Sequence, residues 1–164
     1  MVVAILGHGT VGGGVYELLK NRSDITVKYV LDRSPIAELG AVSVTDFSTI
    51  LNDGEVDTVV EVMGGLEPAH EYMVAAMRAG KNIVTANKHL LAAYYDELTT
   101  LAKETGIGFR TSAAVGGGIP WLPNLQRLKR IGAVNEICGI MNGTTNYILS
   151  MMHKKGYDYE SVLH

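Results

Sequence analysis

Cysteine is almost absent from this sequence, and its scarcity excludes two kinds of stabilising site. The single cysteine, Cys138, cannot form a disulfide within the chain, and no paired Cys/His spacing typical of zinc binding occurs. A chain without disulfides fits a reducing compartment, so we expect a cytoplasmic protein. The sequence also lacks a run of about 18 apolar residues and a basic first segment, so it predicts neither a membrane-spanning helix nor a signal peptide.

An excess of positive charge is also lacking. Fourteen Lys and Arg residues stand against 17 Asp and Glu residues, for a net charge of −3, so the sequence indicates no nucleic-acid partner. Glycine, in contrast, is abundant and clustered, with 19 residues, which indicates tight turns and close backbone approach. Apolar residues make up 47% of the 164 residues, enough for the core of one ordinary domain.

Short apolar runs alternate with segments of helical spacing over the first two thirds of the chain. In the first helical segment, Val11, Val15, Leu18 and Leu19 fall on one predicted side. Alternation with short connections predicts a parallel sheet with helices on both faces, and an α+β domain with mixed strand pairing is the alternative. The predicted strands are 2–6, 25–31, 56–62, 82–85 and 107–111, and the predicted helices are 11–20, 46–52, 67–81 and 88–104.

The segment GHGTVG follows the first predicted strand and opens the first predicted helix. Gly7, Gly9 and Gly12 form a G-x-G-x-x-G pattern in the strand-to-helix context that dinucleotide binding requires. The first glycine permits the tight turn, the second lets backbone amides approach a pyrophosphate, and the third lets helix and strand pack closely. The alternative is a tight turn without a ligand. The pattern predicts a Rossmann-type doubly wound α/β fold that binds a nicotinamide dinucleotide.

The end of the second predicted strand bears on the choice between NAD and NADP. Asp32 lies 20 residues after Gly12, where an acidic residue accepts a hydrogen bond from the ribose 2′-hydroxyl of NAD. Arg33, beside it, is able to bind the 2′-phosphate of NADP. The two residues favour different cofactors, and a solvated turn pair is a third interpretation, so the choice stays open.

Lys88 lies in IVTANKHLLA, between a predicted strand and a predicted helix. A lysine in the first turn of a helix opposes the helix dipole, at a cost of roughly 0.3–1 kcal/mol. This cost indicates a functional group that binds an anion or a polarised carbonyl at the sheet edge, although a lysine extended into solvent fits the spacing as well. Three further loops can line a cofactor or substrate site or be ordinary turns, linkers or caps: 63–65, 112–122 and 142–145.

The pattern changes after residue 131. Residues 133–141 predict a strand and 143–155 a helix, and a second helix begins in YDYESVLH. We therefore expect a dinucleotide-binding domain over 1–131 and the beginning of an incomplete second α+β domain over 132–164. A sheet without its other strands exposes an open edge, so we expect a homo-oligomer.

Four stretches together resemble homoserine dehydrogenase: GHGTVG, EVMGGLEPAHEYMVAAMRAGKNIVTANK, AAVGGGIP and GIMNGTTNYIL. The resemblance extends from Val3 to about Gly156 and implies NAD(P)-dependent interconversion of L-homoserine and L-aspartate 4-semialdehyde, in threonine and methionine biosynthesis. It implies that Lys88 contacts cofactor and substrate and polarises or protonates the aldehyde oxygen. It also implies nucleotide contacts at Gly7, Gly9, Thr10, Val11, Gly12, Arg33, Met63 and Gly64, and substrate contacts at Gly143 and Thr144.

The sequence departs from the family pattern in two places. Ser112 stands where the family usually has a glutamate that, with carbonyls here matching Val115, Gly117 and Ile119, holds a sodium-like cation; we expect weak binding at most. The family continues well past His164 and supplies a second lysine there, so we expect a truncated chain.

Two other functions compete with the dehydrogenase. One is a catalytically inactive module that holds NAD(P). The other is aspartate-semialdehyde dehydrogenase, which needs a nucleophilic cysteine, whereas Cys138 is predicted to lie in a core strand.

Overall fold

Strands and helices alternate along the first part of the chain. The computed structural model describes residues 1–140 and 142–163. The strands are β1 (Val2–Leu6), β2 (Thr26–Leu31), β3 (Ser43–Val44), β4 (Thr58–Glu61), β5 (Asn82–Thr85) and β6 (Phe109–Arg110). The helices are α1 (Thr10–Leu19), α2 (Phe47–Leu51), α3 (Ala69–Arg78), α4 (Lys88–Thr105), α5 (Trp121–Lys129), α6 (Gly143–Lys155) and α7 (Tyr159–Leu163), with 3-10 turns at Ala37–Val42 and Ser112–Ala114.

All six strands form one parallel sheet in the order β3-β2-β1-β4-β5-β6. This is the strand order of the doubly wound dinucleotide-binding fold. The predicted fold class is confirmed, and the mixed pairing is excluded for these strands. β3 was not predicted, because a strand of two residues is too short to show a period in sequence.

Successive residues of the inner strands pack into two cores, one on each face of the sheet. Val3 and Ile5 of β1 contact Val15, Tyr16 and Leu19 from α1 on one face. On the other face, the alternate residues of β1 pack with α2, α3 and α4, including Ile50, Met73, Met77, Leu90 and Leu98. Burial on both faces explains why β1 is an uninterrupted apolar run. Two residues predicted on the buried side of α1 are exposed instead, Val11 and Leu18.

Helix ends are fixed by side-chain and glycine caps. Asn87 caps α4 by accepting a hydrogen bond from the Leu90 amide (3.2 Å), and α4 ends at Gly106, which has a left-handed φ of 72°. Asp46 caps α2 in the same way, through the Ser48 amide at 2.8 Å. Asn87 is therefore the residue that sets Lys88 in the first turn of its helix.

The chain divides into two compact units, Met1–Leu122 and Pro123–His164. The functional boundary at 131 stays a prediction. In the second unit, α6 and the start of α7 agree with the sequence, but residues 133–140 form no strand and Cys138 is exposed, so both expectations were wrong. A strand needs a neighbour with which to pair, and the described part of this unit has none. Met141 and the chain end at His164 lie outside the described residues.

Within the described ranges, no helix has the length and apolar character needed to cross a membrane.

Candidate functional site

A cleft of about 690 Å³ opens at the carboxyl edge of the sheet, where β1 and β4 lie side by side. The chain leaves β1 toward α1 on one face and leaves β4 toward α3 on the other, and this change of direction makes β1 and β4 the switch point of the sheet. Doubly wound sheets bind their ligands at this point. The lining residues come from the ends of β1, β2 and β4 and from the start of α3: Gly7, His8, Gly9, Leu31, Asp32, Arg33, Thr45, Val62, Met63, Gly64, Gly65, Glu67, Pro68 and Tyr72.

The glycine turn forms the floor of this cleft. Gly7 has φ of 99°, a conformation that favours glycine, and a Cβ on Gly12 would lie 1.9 Å from the carbonyl oxygen of Gly7. Gly9 caps α1 without a side-chain hydrogen bond, and a Cβ at Gly9 would meet no atom within 4 Å, so the backbone is open where α1 begins beside the cleft. Free amides at the positive end of a helix fit a phosphate group. Thr10 and Val11 occupy the exposed first turn of α1.

Asp32 joins the glycine turn to the end of β2. One carboxylate oxygen accepts a hydrogen bond from the His8 amide at 2.9 Å, and the other accepts one from the Arg33 amide at 2.7 Å. These bonds fix the carboxylate in the cleft wall, and each oxygen retains a lone pair for a ligand hydroxyl. The side chain of Arg33 is exposed at the same wall.

Lys88 lies beside this cleft rather than in it. A smaller cavity of about 210 Å³ shares Val62, Met63 and Gly64 with the large cleft and reaches Lys88 on its other side. Lys88 is exposed, and a third cavity of about 280 Å³ lies against it, between α4 and Val115. The Met63–Gly64 turn is thus the shared wall between the glycine cleft and the lysine.

A buried hydrogen-bond network connects this shared wall to the start of α4. Glu61, at the end of β4, accepts hydrogen bonds from the Met63 amide at 2.9 Å, the Thr85 hydroxyl at 2.6 Å and the Asn87 side-chain amide at 3.3 Å. Asn87 also donates to the carbonyl of Gly65 at 2.8 Å. Glu61 was not predicted as a site residue, because it lies inside a predicted strand. An acid in an apolar run was the available signal.

Two further groups of predicted site residues lie in the glycine-rich loop and in α6, and Val115 of the first group lines the third cavity. In the glycine-rich loop, Ile119 accepts a hydrogen bond from the Trp121 amide at 2.7 Å, and Gly117 has a left-handed φ of 57°. No group of three His, Cys, Asp or Glu side chains suited to a metal occurs among the residues placed by the structure. Gly143 and Thr144 form the exposed first turn of α6 in the second unit, where Asn142 caps the helix.

Comparison with known proteins decides the family. Residues 7–111 match the family model of the homoserine dehydrogenase NAD binding domain, and residues 120–164 match that of homoserine dehydrogenase. The chain belongs to the homoserine dehydrogenase family. The resemblance seen in the sequence motifs is confirmed.

Curated relatives match the chain over almost its whole length, but the chain spans less than half of their length. It is 39% identical to homoserine dehydrogenase of Bacillus subtilis and 42% identical to that of Synechocystis, over 98% of this chain and 40% of each relative. A homoserine dehydrogenase structure from Thiobacillus denitrificans matches with a TM-score of 0.90 at 37% identity, over 99% of this chain and 41% of that one. A hyperthermophilic archaeal homoserine dehydrogenase in complex with NADPH matches with a TM-score of 0.79 at 25% identity, over 99% of this chain and 59% of that one.

Proposed function

We propose that this chain supplies the NAD(P)-binding part of an enzyme that interconverts L-homoserine and L-aspartate 4-semialdehyde. The observation that carries the proposal is the glycine cleft at the switch point of the sheet, in a chain that matches the family's NAD binding domain. The bound nicotinamide supplies the hydride chemistry, and the protein orients it.

The dinucleotide fits the cleft in one direction. The free amides of α1 and the turn at Gly7 and Gly9 suit the pyrophosphate, and the fixed carboxylate of Asp32 suits the ribose hydroxyls of the adenosine half. The nicotinamide half then extends over Met63–Gly64 toward Lys88. Thr10, Val11 and Gly12 support this placement as part of the first turn of α1.

We propose NAD as the preferred cofactor, because Asp32 offers acceptors at the position where NADP carries a phosphate. The carboxylate of Asp32 and a 2′-phosphate placed next to it would repel each other. The exposed side chain of Arg33 offsets this repulsion only in part. A sodium-like cation at Val115, Gly117 and Ile119 has only neutral carbonyls to bind, with Ser112 beside them, so this loop fits a cation poorly.

Lys88 is the proposed catalytic residue. It lies next to the wall that the nicotinamide would cover, with its ammonium group exposed for an aldehyde oxygen to approach. Gly143 and Thr144, with free amides in the first turn of α6, are proposed to bind substrate carboxylate.

A second candidate is a module that holds NAD(P) without turnover. Of the described residues that line the two cavities around Lys88, none is a carboxylate and Lys88 is the only lysine or arginine. One lysine is able to polarise an aldehyde, but a second lysine or arginine would have to come from elsewhere, although His89 and Tyr95 also line these cavities and are able to donate a proton.

Calorimetric titration with NAD and NADP, followed by a homoserine oxidation assay, tests both candidates. The matched variants are Lys88→Met and Lys103→Met, since both lysines are exposed on α4 and only Lys88 borders the cavities. Binding with turnover that falls about a hundredfold or more in the Lys88 variant alone supports the dehydrogenase. Binding without turnover supports the module, and absence of binding refutes both.

We also propose that the chain associates with a second copy of itself. The second unit exposes large apolar side chains, with Ile131 85% and Ile140 74% exposed. Exposed apolar surface of this kind favours association. Light scattering at increasing concentration should show a dimer or larger species, and a constant monomer mass would refute the proposal.

The cytoplasmic location stays a prediction.

A further inference from the structure

A carboxyl group lies fully buried at the end of β4. Glu61 has 0% exposure, and within the described residues no lysine, arginine or histidine forms an ion pair with it. Burial of a charged group without a cation is unfavourable unless hydrogen bonds compensate it. Three donors meet the two oxygens of Glu61. The carboxyl group therefore connects segments of the fold through hydrogen bonds, at a position where an apolar side chain could be buried at a lower cost in free energy.

The donors come from two different segments. The Met63 amide belongs to the Val62–Gly65 loop, which lines both the large cleft and the smaller cavity. Thr85 ends β5, which pairs with β4 so that Thr85 lies opposite Glu61. Glu61 thus connects the loop that borders the proposed dinucleotide site to the strand that leads into α4.

Asn87 closes the connection. Its side-chain oxygen caps α4 through Leu90, while its amide donates both to Glu61 and to the carbonyl of Gly65. The backbone amide of Asn87 donates in turn to the Thr85 hydroxyl at 3.0 Å. The first turn of α4, which begins with Lys88, is held to the same loop from two directions.

We propose that Glu61 is a positioning residue that fixes the Val62–Gly65 loop and the first turn of α4 as one unit. Dinucleotide binding in the large cleft and the placement of Lys88 beside it then depend on each other. The inference rests on the proposed function, because it takes the dinucleotide as the ligand of the large cleft. Glu61 itself lines neither cavity and acts through Met63 and Asn87.

Three variants test this role. Glu61→Gln preserves the shape but removes one acceptor oxygen, and Thr85→Val removes the hydroxyl that donates to Glu61. The matched control is Thr58→Val. Thr58 is also buried, lies opposite Asn82 at the other end of β4 from the cleft, and its hydroxyl donates to Asp57 at 2.6 Å.

Two measurements are made on the full chain well below its unfolding temperature. The first is the affinity for NAD and NADP by calorimetry. The second is the rate at which an amine-acylating reagent modifies Lys88, read by mass spectrometry with and without nucleotide, with Lys103 on the same helix as internal reference. A bound dinucleotide should slow modification of Lys88 several-fold in the unsubstituted chain. Loss of a hydrogen bond to a charged group should weaken binding about tenfold.

We expect Glu61→Gln and Thr85→Val to bind nucleotide about tenfold more weakly and, at saturation, to lose the protection of Lys88. Thr58→Val should lower the unfolding midpoint and leave both readouts unchanged. If the first two variants behave like Thr58→Val, the positioning role is refuted while the proposed function stands. Thr85→Val decides the question if Glu61→Gln does not fold. Absence of nucleotide binding by the unsubstituted chain would refute the proposed function itself.

Discussion

Replacement of Gly12 by alanine tests the close approach of α1 to the turn after β1. An ideal Cβ on Gly12 lies 1.9 Å from the oxygen and 2.8 Å from the carbon of the Gly7 carbonyl, whereas ordinary contact begins at 3.4 Å. Both atoms are backbone, so no rotamer change relieves the clash. The variant must shift α1 about 1.5 Å away from Gly7, in the region where the pyrophosphate is proposed to lie.

The expected cost follows from two opposing terms. Overpacking at a well-packed contact costs about 1–3 kcal/mol, and alanine in a helix recovers roughly 0.5–1 kcal/mol relative to glycine. The net destabilisation is then about 1–2 kcal/mol, which lowers the unfolding temperature of a domain of this size by roughly 3–8 °C. Affinity for NAD should fall at least about tenfold, because at least one amide-to-phosphate hydrogen bond is lost.

Gly14→Ala is the matched control for this change. Gly14 lies in the same helix, is exposed, and a Cβ there meets no atom within 4 Å. Alanine should therefore stabilise the chain by up to about 1 kcal/mol and leave nucleotide affinity unchanged. Urea unfolding followed by circular dichroism, with calorimetric titration of NAD, measures both quantities. A Gly12→Ala chain that is as stable as Gly14→Ala, or that binds NAD with unchanged affinity, would refute the packing argument.

Three further outcomes are expected. Asp32→Ser should shift affinity toward NADP by about tenfold in a competition titration, because the carboxylate that repels the 2′-phosphate is gone. Arg33→Ala should weaken the binding of NADP alone. Equal effects of either variant on both cofactors would contradict this. The hydrogen bond from Lys28 holds the pKa of Asp53 at about 2, below its ordinary value of 3.8, so its contribution to stability is present above pH 3.8 and lost as the pH falls toward 2. Asp53→Asn should therefore lower stability at pH 7, and its unfolding midpoint should fall less steeply as the pH is lowered from about 4 to about 2. If the midpoint falls as steeply as in the unsubstituted chain, Asp53 is not the cause of the acid destabilisation. Ser112→Glu should make the unfolding temperature rise with sodium in place of choline, while the natural serine chain shows no such rise; equal sodium dependence of both would show that neutral carbonyls suffice.

Local pattern was sufficient for most of the secondary structure. The bounds of β1, β5 and α6 agree with the sequence prediction at every residue, because each is an apolar run or helical period ended by a glycine, a polar cap or a turn. The glycine motif also predicted the cleft, since its three positions have separate steric roles that the structure bears out at Gly7 and Gly12.

Prediction was wrong where the outcome depends on distant parts of the chain. Residues 133–140 have the composition of a strand, but a strand forms only with a partner strand. The local hydrophobic pattern does not show whether such a partner is present. Val11 and Leu18 have the right spacing for the buried side of α1, yet the approach to Gly7 sets the rotation of the helix and leaves both exposed. Glu61 does lie in its predicted strand, but its connecting role was not predicted, because its three donors are 2, 24 and 26 residues away.

One buried charged side chain lies at the amino ends of the parallel strands and another at their carboxyl ends, and the two differ in what they connect. At the amino edge, Lys81 is 4% exposed, and its ammonium donates to the carbonyls of Asp53 and Val56 at 2.8 and 3.0 Å; burial lowers its pKa. Those contacts join the residue before β5 to the segment between α2 and β4, and none of these three residues lines the cleft or the cavities beside Lys88. At the carboxyl edge, Glu61 joins the loop of the large cleft to the helix that carries Lys88.

This division gives a criterion for separating stability from function in the fold. A variant at the amino edge removes a hydrogen bond that exists equally in the free and the nucleotide-bound chain, so it lowers the unfolding midpoint without changing affinity. A variant at the carboxyl edge loosens the loop that lines the proposed dinucleotide site, so affinity changes in addition to stability. The two ends of β4 lie only three residues apart, from Thr58 to Glu61. Opposite behaviour over so short a distance would arise from the position of the cleft, since both residues are buried in the same strand.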